Sequence, residues 1–256
     1  MTTSITYEFP LNERIRMFIR IEQLFIQLQH FMAGSTVSDK RAALKTLLDL
    51  LMTFSRNDLK SEVIKEIDRH AKAFSLLRAS QNVDSGKLDA ILNDLNRMSK
   101  KLYDTNGKVG NTLMQSDLFQ SISQRISIPG GTCSFDLPAF HYWLEQDNKI
   151  TLNDLEQWML PFNDIRHAIS VLLDFIRHSG QTTQNVAESG FFQLALDSNQ
   201  LYQLLLINLV RRLPYFVETS GGKHRFTIRI MNPSVDGSRP TQTSADVPFT
   251  LTCCAF

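Results

Sequence analysis

Three sets of side chains in this sequence could do chemistry. Cys133, Asp136 and His141 lie close together, a spacing that would allow a Cys–His nucleophilic pair. A cysteine is more often a small buried hydrophobe, and no oxyanion device accompanies this one. No P-loop, dinucleotide fingerprint, H-E-x-x-H or G-x-S-x-G pattern occurs anywhere. The six histidines are scattered, and none stands at zinc-finger spacing from a cysteine. These residue types argue against an enzyme and call for no metal or other cofactor.

The second set is Arg16 and Arg20, with Gln23 and Gln27 on the same helical stripe. It reads either as a solvated helix face or as a fork-shaped carboxylate receptor, since Glu13 is the nearest acid. The third is Lys223, His224, Arg225 and Arg229, preceded by Arg211 and Arg212. Positive charge there would either guard an edge strand or dock an acidic peptide or a nucleic-acid backbone. On one strand face Arg225 and Arg229 would stand roughly 13 Å apart. His141, flanked by aromatic residues, is either a satisfied core histidine or one more donor.

The elements that must position these groups fall into two kinds. Residues 11–32 read as a helix entered through Pro10 and Asn12, apolar over most of its circumference, suited to a bundle centre or a dimer seam. Helices follow over 39–54 (capped by Ser35 or Ser38), 58–77 (after Asn57) and 85–102 (after Asp84). Residues 118–128 read as one strand of a pair around Pro129-Gly130-Gly131, with a helix through 112–125 as the alternative. A short helix capped by Ser134 or Asp136 runs through Leu144, and Thr151 with Asp154 resembles a capping box. Pro161 then opens a helix whose apolar face, Phe162 to Ile176, ends at Ser179-Gly180.

From Gln181 onward, short β-like runs occupy 190–196, 201–210, 215–219, 225–231 and 247–254. In the fourth, Phe226, Ile228 and Ile230 face one way while Arg225, Thr227 and Arg229 face the other. The expected fold is therefore α+β. An N-terminal helical bundle over 1–115, joined by 136–180, precedes an antiparallel β-sandwich-like domain over 181–256 that borrows strands from 116–135.

Composition fits this reading. The 256 residues are 43% hydrophobic and 21% charged, with a net charge of +1, so no global field draws the chain to nucleic acid or anionic lipid. No apolar run is long enough for a bilayer, and Glu8 and Glu13 interrupt any signal-peptide pattern. The three cysteines, two of them adjacent, suit a reducing compartment, so a cytoplasmic protein without direct membrane insertion is expected.

Several blocks carry a family resemblance. They are Phe9-Pro-Leu-Asn-Glu-Arg-Ile-Arg16, Ile19-Arg-Ile-Glu22, Lys65-Glu-Ile-Asp-Arg69 and Gln124-Arg-Ile-Ser-Ile-Pro-Gly-Gly131. Cys133-Ser-Phe-Asp-Leu-Pro138, His141, Trp143-Leu144, Ser220-Gly221, Lys223, Arg225-Phe226 and Ile228-Arg229 continue the series. In this order, over nearly the whole chain, they resemble the ZapD family of Z-ring-associated bacterial cell division proteins. The resemblance implies a homodimer whose subunits each combine a helical and a β-sandwich-like domain. It also implies a cytosolic partner at the midcell division ring, the tubulin-like GTPase FtsZ, held by its C-terminal tail so that filaments are cross-linked and bundled. The tail-binding positions it implies are Arg16, Arg20, His141, Lys223, Arg225 and Arg229. Asp117 departs from the family pattern, where an arginine is expected. A nucleic-acid-binding protein using the same basic β-face is the alternative; it lacks a stacking platform, because Phe226 points away from the arginines.

Overall fold

The computed structural model describes residues 3–256 except 57, 80–83, 106 and 235. The chain divides into two compact units, one of Met1–Phe18 with Leu173–Phe256, the other of Ile19–Leu172. It is a mixed α+β fold, helical through its first two thirds and antiparallel β beyond.

The first element was not expected. Residues 4–10 do not belong with the helices: Ile5, Tyr7 and Phe9 alternate with Thr6 and Glu8, and Ser4–Pro10 forms strand β1. Helix α1 (Glu13–Met32) follows, and Asn12 caps it by accepting from the Ile15 N–H at 2.9 Å. Its buried stripe is Ile15, Phe18, Ile21, Phe25 and Leu28, whereas Ile26 is half exposed.

Helix α2 (Val37–Arg56) is capped by Thr36 rather than Ser35 or Ser38. The Thr36 hydroxyl accepts from the Asp39 N–H at 3.1 Å, and the Asp39 carboxylate accepts from the Thr36 N–H at 3.0 Å. This reciprocal box lets Thr36 begin the helix earlier than the periodicity does. Helix α3 (Leu59–Leu76) takes Asp58 as its cap, and the proposed cap Asn57 lies outside the described residues. Helix α4 (Ser85–Asp104) is capped by Asp84, as expected.

Residues 117–125 correct the strand reading. They form helix α5 (Asp117–Arg125), in which Phe119 and Ile122 are both buried. Their spacing of three puts them on one helical face, whereas in a strand they would point to opposite faces. No strand among the described residues comes from 116–135, so the sheets borrow nothing there. The Pro129-Gly130-Gly131 turn instead links α5 to α6 (Pro138–Leu144), with Gly130 at φ +73°. Neither Ser134 nor Asp136 caps α6; Asp136 accepts from Arg125 at 2.9 Å. Helix α7 (Asn148–Met159) is capped by Asp147, not by a Thr151–Asp154 box. Thr151 is buried inside the helix and donates to backbone carbonyls, while Asp154 accepts from Trp143 Nε1 at 3.0 Å. Pro161 stands in a single 3-10 turn before α8 (Asn163–Arg177).

A buried ionic cluster lies on α3. Glu66 accepts from Arg69 Nε at 3.2 Å and lies 3.4 Å from His70 Nε2. Burial lowers the His70 pKa below its ordinary value, with Glu66 pulling the other way. The other five histidines are exposed. Below about pH 6.5 an unfolded His70 gains a proton that the folded one resists. Stability is therefore expected to fall as pH drops from about 6.5 toward the lowered native pKa. Urea midpoints across that window test this, and His70→Gln should flatten the slope.

Among the described residues the β-unit holds seven further strands: β2 (Thr182–Ala187), β3 (Phe191–Ala195), β4 (Tyr202–Val210), β5 (Phe216–Gly221), β6 (Arg225–Asn232), β7 (Thr241–Gln242) and β8 (Val247–Ala255). One antiparallel sheet has the order β1-β4-β8-β2, with Ser4 opposite Val210 and Pro10 opposite Leu204. The second has the order β3-β6-β5, and β7 pairs with β6. Leu205, Ile207, Phe249 and Leu251 from the first share one core with Phe226, Ile228 and Ile230 from the second.

The last turn of α8 belongs to this unit. Arg177 donates from Nε and Nη2 to the Glu8 carboxylate at 2.8 and 3.1 Å, a fork largely shielded from water. Beside it the Arg177 carbonyl lies 3.7 Å from Cys254 Sγ, and burial pushes that thiol pKa up to about 12. Arg177→Ala leaves Glu8 without this fork and is expected to cost about 1.5–3 kcal/mol, measurable as a lower denaturation midpoint.

Candidate functional site

Strand β6 alternates as its residue types require: Phe226, Ile228 and Ile230 are fully buried, while Arg225 and Arg229 stand exposed on the outer face. The strand lies at the centre of its sheet, between β3 and β5. These arginines therefore guard no edge, which removes the aggregation-guard explanation for them.

Register sets their neighbours. Arg229 is opposite Glu218 on β5 and Phe191 on β3, while Arg225 is opposite Ala195. Between the arginines, Thr227 is bonded to Ser220 through their hydroxyls at 2.7 Å. The hairpin from β5 to β6 turns through Gly221, where a Cβ would fall 2.5 Å from Phe226 Cβ. Gly222, Lys223 and His224 complete the turn, with Gly222 N–H donating to the Arg225 carbonyl at 3.0 Å. A shallow pocket of about 480 Å³ opens here, bounded by Gln193, Ser220, Gly221, Lys223, Arg225 and Thr227. Lys223, Arg225 and Arg229 form no ion pair among the described residues. Three exposed cations thus lie on or beside one face of the sheet, with the bonded Ser220 and Thr227 hydroxyls between the two arginines.

The other candidates are placed separately. Arg16 and Arg20 stand one turn apart on α1. Arg16 is not unpaired: it binds Glu13 and donates to the Pro10 carbonyl at 3.4 Å. Arg20 is exposed and forms no ion pair among the described residues. His141 is no core histidine; it lies exposed on α6, 3.9 Å from the Glu145 carboxylate. Asp117, also exposed, is the first residue of α5, where its charge suits the helix N-terminus.

The Cys133–Asp136–His141 constellation is not assembled, because Asp136 is engaged by Arg125 and no hydrogen bond joins Cys133 to His141. Among the described residues no cluster of His, Cys, Asp and Glu could hold a metal ion, and no helix is long and apolar enough to cross a membrane.

Sequence reasoning missed Gln193, Ser220 and Thr227 as pocket walls, and Phe191 as an aromatic sharing the basic face. Their alternation was visible in the sequence; their register with β6 was not.

Comparison with known proteins gives a consistent result. A family model described as ZapD, cell division protein, matches residues 19–229. A cell division protein ZapD from Methylococcus capsulatus is 42% identical over 254 residues, covering 99% of each chain. The one from Nitrosomonas europaea is 37% identical over 256 residues, covering all of this chain and 97% of its own. That of Chromobacterium violaceum is 35% identical over 252 residues, covering 98% of this chain and all of its own.

Proposed function

This chain belongs to the ZapD family of cell division proteins, and we propose that it acts without catalysis, binding the C-terminal tail of FtsZ and bundling its filaments at the midcell ring. The observation that carries the reading is the group of Lys223, Arg225 and Arg229, exposed and forming no ion pair among the described residues. Cations in that state give carboxylates of an extended tail somewhere to go, with an attraction that salt weakens. Arg16, Arg20 and His141 contribute further donors in this reading, and Asp117 lowers the positive charge offered by α5.

Bundling follows from valence. A homodimer presents the same site twice, and each dimer can hold tails from two filaments. Along a polymer many weak contacts reinforce one another through effective concentration.

Co-pelleting with GTP-assembled FtsZ from the same organism, beside FtsZ lacking its last residues, tests the proposal. Pelleting and thickened bundles with the full-length polymer, lost on tail removal, are expected. Pelleting with both would keep the partner and move the surface elsewhere; pelleting with neither would defeat the reading. Phe191 beside Arg229 gives nucleic acid one aromatic to stack on, whereas single-strand binders stack successive bases. A steep, salt-dependent shift of random DNA would favour that alternative.

A further inference from the structure

The two sides of β6 are both bonded, but the far side of β5 is not. Because Gly222 donates to Arg225, the paired positions of this ladder are 220 with 227, 218 with 229 and 216 with 231. Val217 and Thr219 consequently turn their side chains toward the core, and together with Gly221 they direct their N–H and C=O groups at the open edge. No other group among the described residues bonds to those edge groups. The edge carries no proline and no lysine from Phe216 to Gly221; Glu218 is its one charged residue. At the opposite edge of the sheet the Phe191 N–H already donates to the Glu188 carbonyl at 2.9 Å.

Charge frames this open edge. Lys223 follows its C-terminal end, Arg212 precedes its N-terminal end, and Arg225 and Arg229 stand one strand behind it. Strands lie about 4.8 Å apart, so a strand added to β5 would run roughly 10 Å from β6. An arginine and a glutamate can close that gap by leaning over the small Ser220.

We infer that the free edge of β5 is a strand-addition site for an extended acidic peptide, which pairs with Val217–Gly221 while its outward carboxylates meet Arg225, Arg229 and Lys223. The inference rests on the proposed tail binding and specifies its mode: main-chain bonds supply register, and the cations select acidic side chains. It also sets a sequence rule. The peptide residue facing Glu218 should be uncharged, because like charges directly across strands repel, whereas one facing Ser220 can be acidic.

The test uses a synthetic peptide of the FtsZ tail, labelled for fluorescence anisotropy, with the full-length protein. Methylating the peptide's backbone nitrogens one at a time should weaken binding by about 10-fold at every second position and leave the others unchanged. Thr219→Pro removes an edge-facing donor while sparing the bonds to β6, and should weaken binding by about 10-fold. If that variant does not fold, the peptide scan decides alone, because it leaves the protein untouched. Binding that Arg225→Ala weakens but that shows no two-residue period would overturn strand addition and leave the basic site standing. No binding of the unmodified peptide would overturn both.

Discussion

Arg225→Glu combined with Arg229→Gln is expected to lower affinity for the FtsZ tail by about 100-fold at low ionic strength. Each arginine offers a charge-assisted contact of about 1.5 kcal/mol or more, and reversing Arg225 adds repulsion to the loss. Glutamine is chosen at 229 because Glu218 lies directly opposite. A second carboxylate there would strain the strand pair and confuse binding with folding. The side chains face outward from a buried core, so the β-unit should unfold at nearly the same denaturant concentration. Near physiological salt, where the screening length is about 8 Å, the difference should shrink to several-fold. Anisotropy titrations at two salt concentrations read both effects. Unchanged affinity at low salt would remove the basic face from the site.

The largest stability effect is expected from Phe162→Ala in the helical unit. Its ring is completely buried, with centroids 6.3 Å from Phe25 and 5.5 Å from Phe54. The packing around it leaves no slack: a Cβ on Gly110 would come within 2.5 Å of Phe162 Cζ. Truncation removes the transfer energy of the ring and opens a cavity beside Phe25 of α1 and Phe54 of α2, which relaxation fills only in part. The cost should be about 3–5 kcal/mol, a large share of the roughly 5–15 kcal/mol that holds a typical domain. Urea denaturation followed by helical circular dichroism should shift its midpoint by about 1–3 M. Phe162→Leu keeps most of the volume and should cost less than half as much. An unshifted midpoint for the alanine variant would mean that this ring does not organise the helical core.

Much of this protein was legible one element at a time. The spacing of Leu88, Leu92 and Leu95 makes α4, and Asp84 starts it, because both are properties of a single helical turn and its unsatisfied N–H groups. Likewise, the alternation of Arg225, Thr227 and Arg229 with Phe226, Ile228 and Ile230 settles which side of β6 is wet before any partner strand is known. Even the N-terminal strand is written in the alternation of Ile5, Tyr7 and Phe9 with Thr6 and Glu8, although so short a period is weak beside that of the long helix that follows.

What local pattern does not contain is the choice of partner. Residues 118–128 carry apolar groups that suit either period, and burial of Phe119 together with Ile122 decides for the helix. Ser4 meets Val210 across some two hundred residues, a pairing selected by the whole β-core and not by either strand alone. Placement of β6 at the centre of its sheet moves two arginines from an expected edge to the middle of an exposed face, where Arg229 is opposite Glu218 and Phe191 and Arg225 is opposite Ala195. It also leaves β5 with an open edge. Periodicity follows from the backbone geometry of neighbouring residues, so the sequence alone determined which faces are apolar and which are charged. Pairing and register follow from closing long loops over a shared core, so only the tertiary structure decided which charged face stands beside which free edge.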